Sequence, residues 1–104
     1  MTENKLISSA FMTFAREAPQ HAAAWNTLVQ NLSSANDLEP KTASLAYLAV
    51  LAALDLESGI PFHVRSAKQA GATRGEVISA ILVGLPAAGH GVTRSLPIAV
   101  TAFD

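Results

Sequence analysis

Apolar side chains recur every three or four residues along much of the chain, which is the spacing of one face of an α-helix. Pro19 and Pro40 each precede such a stretch, and proline suits the first turn of a helix because an N–H there has no partner. Residues 43–54 are apolar on both faces, and a helix that is apolar all round is normally buried. The pattern therefore predicts an all-α fold, a compact bundle of about six helices around a buried helix at residues 43–54.

The best-defined helix boundary is predicted within residues 62–76. Gly71 adopts the left-handed backbone that commonly ends a helix without steric cost. Thr73 followed by Glu76 has the spacing of a capping box, in which each side chain accepts a hydrogen bond from the other residue's backbone N–H. These signals predict an αα-hairpin at residues 59–88, with Pro86 ending or kinking its second helix.

The first helix of this hairpin carries a histidine in an apolar stripe. At about 3.6 residues per turn, Ile60, His63, Ala67 and Ala70 share one face. A polar and basic stripe faces water on another side: Pro61, Arg65, Lys68 and Gln69. Two interpretations of His63 follow, a general acid or base, or a packing histidine with one satisfied hydrogen bond. The spacing alone favours the packing histidine.

Asp55, Glu57 and Ser58 precede this helix and are expected to cap it. Each offers an oxygen to unpaired N–H groups, and a carboxylate is also favoured by the helix dipole. A functional role for Glu57 requires that it approach His63 across a Gly-Ile-Pro segment, which the sequence leaves open.

Other polar or aromatic residues are candidates for contact with a ligand. Tyr47 lies in the helix predicted to be buried, where its hydroxyl needs a partner. His90 stands between two glycines, either in an exposed loop or lining a pocket. Arg94 is the one charge of a last helix at residues 92–103 before the terminal Asp104. Trp25 is predicted to be a packing anchor, with a ligand platform as the alternative.

Composition narrows the possible partners. The 104 residues suit a single domain spanning 1–104. Charged residues make up 14 %, against a usual share of about 25 %, so part of the surface should be apolar and favour self-association. A net charge of −1 without basic clusters predicts no binding to nucleic acid. The absence of cysteine excludes disulfides, thiolate zinc sites and cysteine nucleophiles.

The chain is expected to be a cytoplasmic protein without membrane segments. Residues 43–54, the longest apolar stretch, are shorter than the roughly 20 residues a membrane helix needs. Glu3 and Arg16 argue against a signal peptide at the N-terminus. The three histidines form no i, i+4 pair, so no metal site is expected, and no cofactor motif is present.

Residues 51–83 resemble the conserved segment of the carboxymuconolactone decarboxylase family, which includes the alkylhydroperoxidase D-like proteins. Pattern and spacing agree over about half of the chain, in these residues: Ala53-Leu54, Glu57, His63-Val64-Arg65, Ala67, Gly71, Thr73-Arg74, Glu76 and Ala88-Gly89. The resemblance implies an all-helical fold and a homo-oligomer, usually a trimer or hexamer.

Departures from the family pattern bear on the reaction. Alkylhydroperoxidase-like members carry a CxxC motif before the histidine, and its cysteine positions fall here at Leu56 and Gly59. Their relay glutamate falls at about Ser44. A thiol peroxidase requires a thiolate, so that mechanism is excluded for this chain.

The resemblance to the decarboxylase branch implies a cofactor-free lyase. His63 would protonate the carbon that loses carbon dioxide, and Arg65 or Arg94 would hold a carboxylate of a small lactone-type substrate. Glu57, His90 and Tyr47 complete the set of candidate substrate contacts. The alternative is a non-catalytic oligomeric binding or structural member of the family, in which His63 is a packing residue.

Overall fold

A computed structural model describes residues 8–104, so Glu3, which argues against a signal peptide, lies outside the described part. The described residues form helices and turns, and no strand occurs among them. The elements are α1 (Ser9–Glu17), α2 (Pro19–Ala35), α3 (Pro40–Ala53), α4 (Ile60–Gln69), α5 (Arg74–Leu82), α6 (Leu85–Ala88) and α7 (Ser95–Phe103), with 3₁₀ helices at Glu57–Gly59 and His90–Arg94. The all-α prediction with about six helices is confirmed, since all but the short α6 are at least nine residues long.

The chain divides into two compact units, Met1–Leu38 and Glu39–Asp104. In the first unit, the Ser8 hydroxyl caps α1 by accepting the Phe11 N–H at 3.1 Å. Pro19 then begins α2 as predicted. Trp25 is 47 % exposed, so the prediction that it is a packing anchor is wrong for the isolated chain.

The second unit contains the main hydrophobic core. α3 packs against α4 and α5, and α7 packs against the same two helices. Their contact faces bury a set of aliphatic side chains: Leu48, Ile60, Val64, Val77, Ile81, Val92 and Ala99. Full burial of one large aliphatic side chain contributes about 1.5–3 kcal/mol, so this core dominates the stability of the unit.

The prediction that α3 is buried on all sides is wrong. Leu48, Leu51 and Ala52 are buried, whereas Tyr47, Val50 and Leu54 are about half exposed or more. The buried residues lie on the side that faces α4 and α5, and the exposed ones lie on a different face of the helix. An apolar surface therefore remains uncovered on α3.

The αα-hairpin at residues 59–88 is confirmed in detail. Gly71 has a φ of +100°, and its N–H donates to the Lys68 carbonyl while the Ala72 N–H donates to the Ala67 carbonyl, which is the Schellman arrangement. The Glu76 N–H donates to Thr73 Oγ1 at 3.0 Å, and the Thr73 N–H donates to Glu76 Oε1 at 2.9 Å. The capping box thus begins α5 where predicted.

The second helix of the hairpin ends early, as predicted. α5 stops at Leu82, and Pro86 lies in the first turn of the short α6. The last helix begins later than predicted, at Ser95, because Gly89 has a φ of +87° and the next residues form a 3₁₀ helix. Pro97 therefore lies in the first turn of α7, where its missing N–H costs little.

Charged groups join the end of α7 to the hairpin. Lys68 Nζ donates to the Phe103 carbonyl at 2.6 Å and lies 4.6 Å from the centre of the Phe103 ring. Arg74 Nε donates to Asp104 Oδ1 at 2.9 Å. Across residues 8–104, no helix has the length and apolar character needed to span a membrane.

Candidate functional site

The turn between α3 and α4 positions His63. Asp55 takes a left-handed φ of +59°, and the Leu56 N–H donates to the Leu51 carbonyl at 2.9 Å, which ends α3. A single 3₁₀ turn at Glu57–Gly59 then leads directly into α4, which carries His63 in its first four residues.

The expected capping of α4 by Asp55, Glu57 or Ser58 is wrong, since no side chain of the described residues caps this helix. Its start follows the 3₁₀ turn without a break, and the Ile60 N–H donates to the Glu57 carbonyl. The backbone thus satisfies a donor that a cap would otherwise take. Asp55 serves instead as the residue that ends α3.

His63 lies between two aromatic side chains at the edge of the core. Its imidazole stacks on the Tyr47 ring with the centroids 4.3 Å apart and the planes at 27°. The Phe62 ring meets it edge-on at 5.2 Å and 76°. A Cβ on Gly59 would lie 3.4 Å from Leu51 Cδ1 and 3.9 Å from His63 Cδ2, so Gly59 keeps the turn close to the imidazole.

The face of α4 that enters the core differs from the predicted stripe by one position. Ile60, Val64 and Ala67 are buried, whereas His63 is half-buried beside them. Ile60 and Ala67 belong to both faces, but Val64, about 100° around the helix from His63, takes the buried position and leaves His63 at the edge. The imidazole is therefore accessible rather than enclosed by the core.

Partial burial lowers the pKa of His63 below its ordinary value of 6.5, because the charged imidazolium loses solvation. His63 is therefore mainly neutral at pH 7. Within residues 8–104, the imidazole forms no hydrogen bond to the protein.

Arg94 lies in the 3₁₀ helix at His90–Arg94 and forms an ion pair. Its Nη1 donates to Asp55 Oδ2 at 3.0 Å, and both side chains are largely exposed. The pair joins the turn before α4 to the turn before α7. Exposed ion pairs contribute at most about 1 kcal/mol, so Arg94 can exchange Asp55 for another carboxylate at little cost.

The other candidate residues occupy separate positions. Arg65 is exposed, as predicted, and lies two positions beyond His63 on α4, which places the two side chains about 200° apart around the helix. Glu57 is half-buried in the 3₁₀ turn, and His90 is exposed after Gly89. Only Tyr47, of the five predicted substrate contacts, is in ring contact with His63.

A separate open groove of about 710 Å³ lies along α3 and α5. Lys41 Nζ and Glu76 Oε2 form an ion pair of 3.2 Å in its lining, which also includes small residues such as Ala46 and Ala80. The Thr73 backbone N–H, followed by Lys41, lowers the pKa of Glu76. His63 does not line this groove, so the two features are distinct.

Phe62 and Asp55 belong to the surroundings of the candidate site, although the sequence does not assign them to it. The contact of Phe62 follows from its position next to His63, yet the orientation of its ring depends on packing. The partner of Asp55 is 39 residues away, and no local pattern predicts such a pair. Within residues 8–104, no group of three or more His, Asp or Glu residues is arranged to hold a metal ion.

Comparison with known proteins identifies one family. The family model described as "Carboxymuconolactone decarboxylase family" matches residues 19–101, which is 83 of the 104 residues. The match includes α2 to α5 and the histidine-bearing hairpin. Searches of curated proteins and of solved structures gave no match.

Proposed function

Because the chain belongs to the carboxymuconolactone decarboxylase family, we propose that it is a cofactor-free lyase with His63 as its general acid or base. The proposed substrate is a small lactone with two carboxylates, one of which is lost as carbon dioxide. The family relationship supports the reaction class, and the surroundings of His63 support the choice of residue.

The observation that favours this proposal is that the His63 imidazole is half-buried and forms no hydrogen bond to the described residues. A histidine retained only for packing normally lies in the core and spends one ring nitrogen on a protein hydrogen bond. His63 is instead half-buried, stacked on Tyr47, and forms no protein hydrogen bond within the described residues. Its two nitrogens are therefore available to a ligand.

The proposed reaction breaks the bond between a ring carbon and a carboxylate. Carbon dioxide leaves, the electron pair passes into the unsaturated lactone, and a ring carbon takes up one proton. Protonated His63 donates that proton and is restored by solvent. General acid–base catalysis of this kind contributes about 10²- to 10⁴-fold to the rate.

Substrate binding favours the protonated form of His63, which is the form that can donate a proton. The free imidazole is mainly neutral at pH 7 because burial lowers its pKa. A carboxylate bound beside it favours the imidazolium and raises the pKa again. Proton uptake is therefore coupled to substrate binding.

Arg94 is the preferred cation for the second carboxylate, with Arg65 as the alternative. Arg94 binds the carboxylate of Asp55 through one nitrogen. Because a guanidinium has five N–H donors, the remaining donors of Arg94 can bind a carboxylate of the substrate. Arg65 lies on the other side of α4 and would serve only a site shared with a second copy. Glu57 and His90 remain proposed contacts at the margin of the site.

The experiment uses carboxymuconolactone as probe and measures carbon dioxide release by the wild-type chain and by His63→Gln. We expect the substitution to reduce kcat/KM by about 100-fold or more. The matched control is His21→Gln, an exposed histidine of α2 outside the candidate site, for which a reduction of less than about threefold is expected. Equal turnover by the wild type and His63→Gln would refute the role of His63.

The alternative function is that of a non-catalytic oligomeric binding protein of the same family. The exposed apolar face of α3 favours it, because such surfaces mark protein interfaces. This alternative would be supported if the wild-type chain released no carbon dioxide from the probe while a small carboxylate shifted the NMR signals of His63. A thiol peroxidase activity is excluded by the lack of cysteine.

A homo-oligomer is also proposed, with a trimer or hexamer as the forms that the family relationship favours. The low share of charged residues and the exposed apolar side chains both support association. Light scattering at micromolar concentration tests this directly, and a species with the 10.8 kDa mass of one chain would contradict it.

A further inference from the structure

Two aromatic rings lie against the His63 imidazole. The Tyr47 ring stacks on it with the centroids 4.3 Å apart and the planes at 27°, and the Phe62 ring meets it edge-on at 5.2 Å. On a third side, His63 Cδ2 lies 3.9 Å from the position of a Cβ on Gly59. All these residues belong to the Glu39–Asp104 unit, so the contacts are internal to one compact unit.

A histidine side chain needs an outside contact to fix the plane of its ring. The torsion about the bond that joins the imidazole to Cβ has broad minima and restricts the ring only weakly. In many active sites a hydrogen bond to the second ring nitrogen fixes this plane. His63 forms no such bond within residues 8–104, so the rings packed against it are what restrict its rotation.

We propose that Tyr47 is a positioning residue for the reaction, because its stacked ring holds the His63 imidazole in the orientation from which it donates a proton. This inference rests on the proposed role of His63. It differs from the substrate contact expected of Tyr47 from the sequence, which would use the phenol hydroxyl. The positioning role uses only the ring.

The geometry favours Tyr47 over Phe62 as the orienting ring. A near-parallel stack covers one side of the imidazole and resists tilting of its plane, whereas a ring at 76° meets it only along an edge. Phe62 is also the neighbour of His63 on α4, so the two move together. Tyr47 belongs to α3, and the next residue, Leu48, is fully buried in the core between the helices. The Tyr47 ring is therefore anchored independently of α4.

Orientation by a stacked ring leaves both imidazole nitrogens without a protein partner. A hydrogen-bonded carboxylate or carbonyl would occupy one nitrogen and fix the tautomer. Among residues 8–104 neither nitrogen of His63 is occupied in this way. The imidazolium can therefore give one proton to the substrate carbon while its second N–H faces a substrate carboxylate or water.

The first test compares kcat and KM for carboxymuconolactone in Tyr47→Leu and Tyr47→Phe. Leucine removes the ring, whereas phenylalanine keeps the ring and removes the hydroxyl. We expect Tyr47→Leu to lower kcat by about 10- to 100-fold and to change KM by a smaller factor, because a misplaced catalytic group slows the chemical step. We expect Tyr47→Phe to restore kcat to within about threefold of the wild type. Circular dichroism confirms that both variants are folded under the assay conditions.

Phe103→Leu is the matched control, since it removes another aromatic ring that contacts α4. Its ring lies 4.6 Å from Lys68 Nζ, and Lys68 is five positions beyond His63. We expect its kcat to stay within about threefold of the wild type. The proposal would be overturned if Phe103→Leu lost as much activity as Tyr47→Leu, or if Tyr47→Phe did. A wild-type kcat in Tyr47→Leu would also overturn it.

The second test observes the stack by NMR and requires no turnover. Protons above the face of an aromatic ring resonate upfield, so the stacked His63 ring should give upfield signals in the wild type and in Tyr47→Phe. In Tyr47→Leu we expect these signals to move downfield. Spectra at about pH 8 lie above the ordinary pKa of histidine, and His63→Gln identifies the signals. His63 signals that do not move in Tyr47→Leu would overturn the proposal.

Failure of this inference and failure of the proposed function appear in different measurements. Equal turnover by the wild type and His63→Gln refutes the proposed function, and the positioning role falls with it. Turnover that requires His63 but not the Tyr47 ring refutes only the positioning role.

Discussion

Gly71 is the residue on which the turn of the αα-hairpin depends most. Its φ of +100° is accessible to glycine but costs a residue with a side chain about 1–2 kcal/mol. No atom lies within 4 Å of a Cβ placed there, so Gly71→Ala introduces backbone strain and no collision. We therefore expect Gly71→Ala to lower the free energy of unfolding by about 1–2 kcal/mol.

Gly75 provides a matched control four residues later. It lies in the first turn of α5 without a positive φ, and a Cβ there would meet only Thr73 Oγ1 at an ordinary 3.9 Å. Replacing such a glycine by alanine stabilises by about 0.5–1 kcal/mol, mainly by restricting the unfolded chain. Gly75→Ala should therefore raise the stability that Gly71→Ala lowers.

Thermal unfolding followed by circular dichroism measures both variants. In a domain of this size 1 kcal/mol corresponds to about 4–8 °C in Tm, so the two variants should differ by roughly 6 °C or more. Urea titration with an unchanged slope would confirm that only stability has changed. A Gly71→Ala variant as stable as the wild type would refute the assigned turn. Changes of Tm with the same sign for Gly71→Ala and Gly75→Ala would refute it as well.

Two further predictions concern buried or half-buried polar groups. The pKa of His63 is lower in the folded state than its unfolded value of 6.5. As the pH falls below 6.5, the unfolded chain therefore takes up more protons than the folded one, and the free energy of unfolding decreases. Chemical denaturation between pH 7 and 5 should therefore show a smaller loss for His63→Gln than for the wild type, and equal losses would contradict the lowered pKa. The Ser95 hydroxyl is fully buried and has no hydrogen-bond partner within residues 8–104, so Ser95→Ala should raise the free energy of unfolding by about 1 kcal/mol. A destabilised Ser95→Ala would show that the hydroxyl has a partner after all.

Local signals predicted the parts of the fold that depend on neighbouring residues. Gly71, Thr73 and Glu76 define the hairpin because the Schellman turn and the capping box are complete within ten residues. Pro19 and Pro40 likewise mark the first turns of α2 and α3. In each case the relevant hydrogen bonds join residues that are close together in sequence.

The sequence could not predict features that depend on which helices meet. α3 is apolar on every side, but only the contact with α4 and α5 decides which side is buried. The helical period placed His63 in the apolar stripe, whereas packing rotated Val64 into the core and left His63 at its edge. The stacking of Tyr47 and the pairing of Asp55 with Arg94 join distant residues and leave no local signal.

His63 is proposed to be a ligand-binding imidazole, half-buried beside Tyr47. NMR titration of the histidine ring signals tests it most directly, because the chain has three histidines and His63→Gln identifies the one of interest. We predict that His63 titrates below 6.5 in the free protein and that a saturating lactone carboxylate raises its pKa. An ordinary or raised pKa of His63 in the free protein, or a pKa that the ligand leaves unchanged, would contradict the proposed role of His63.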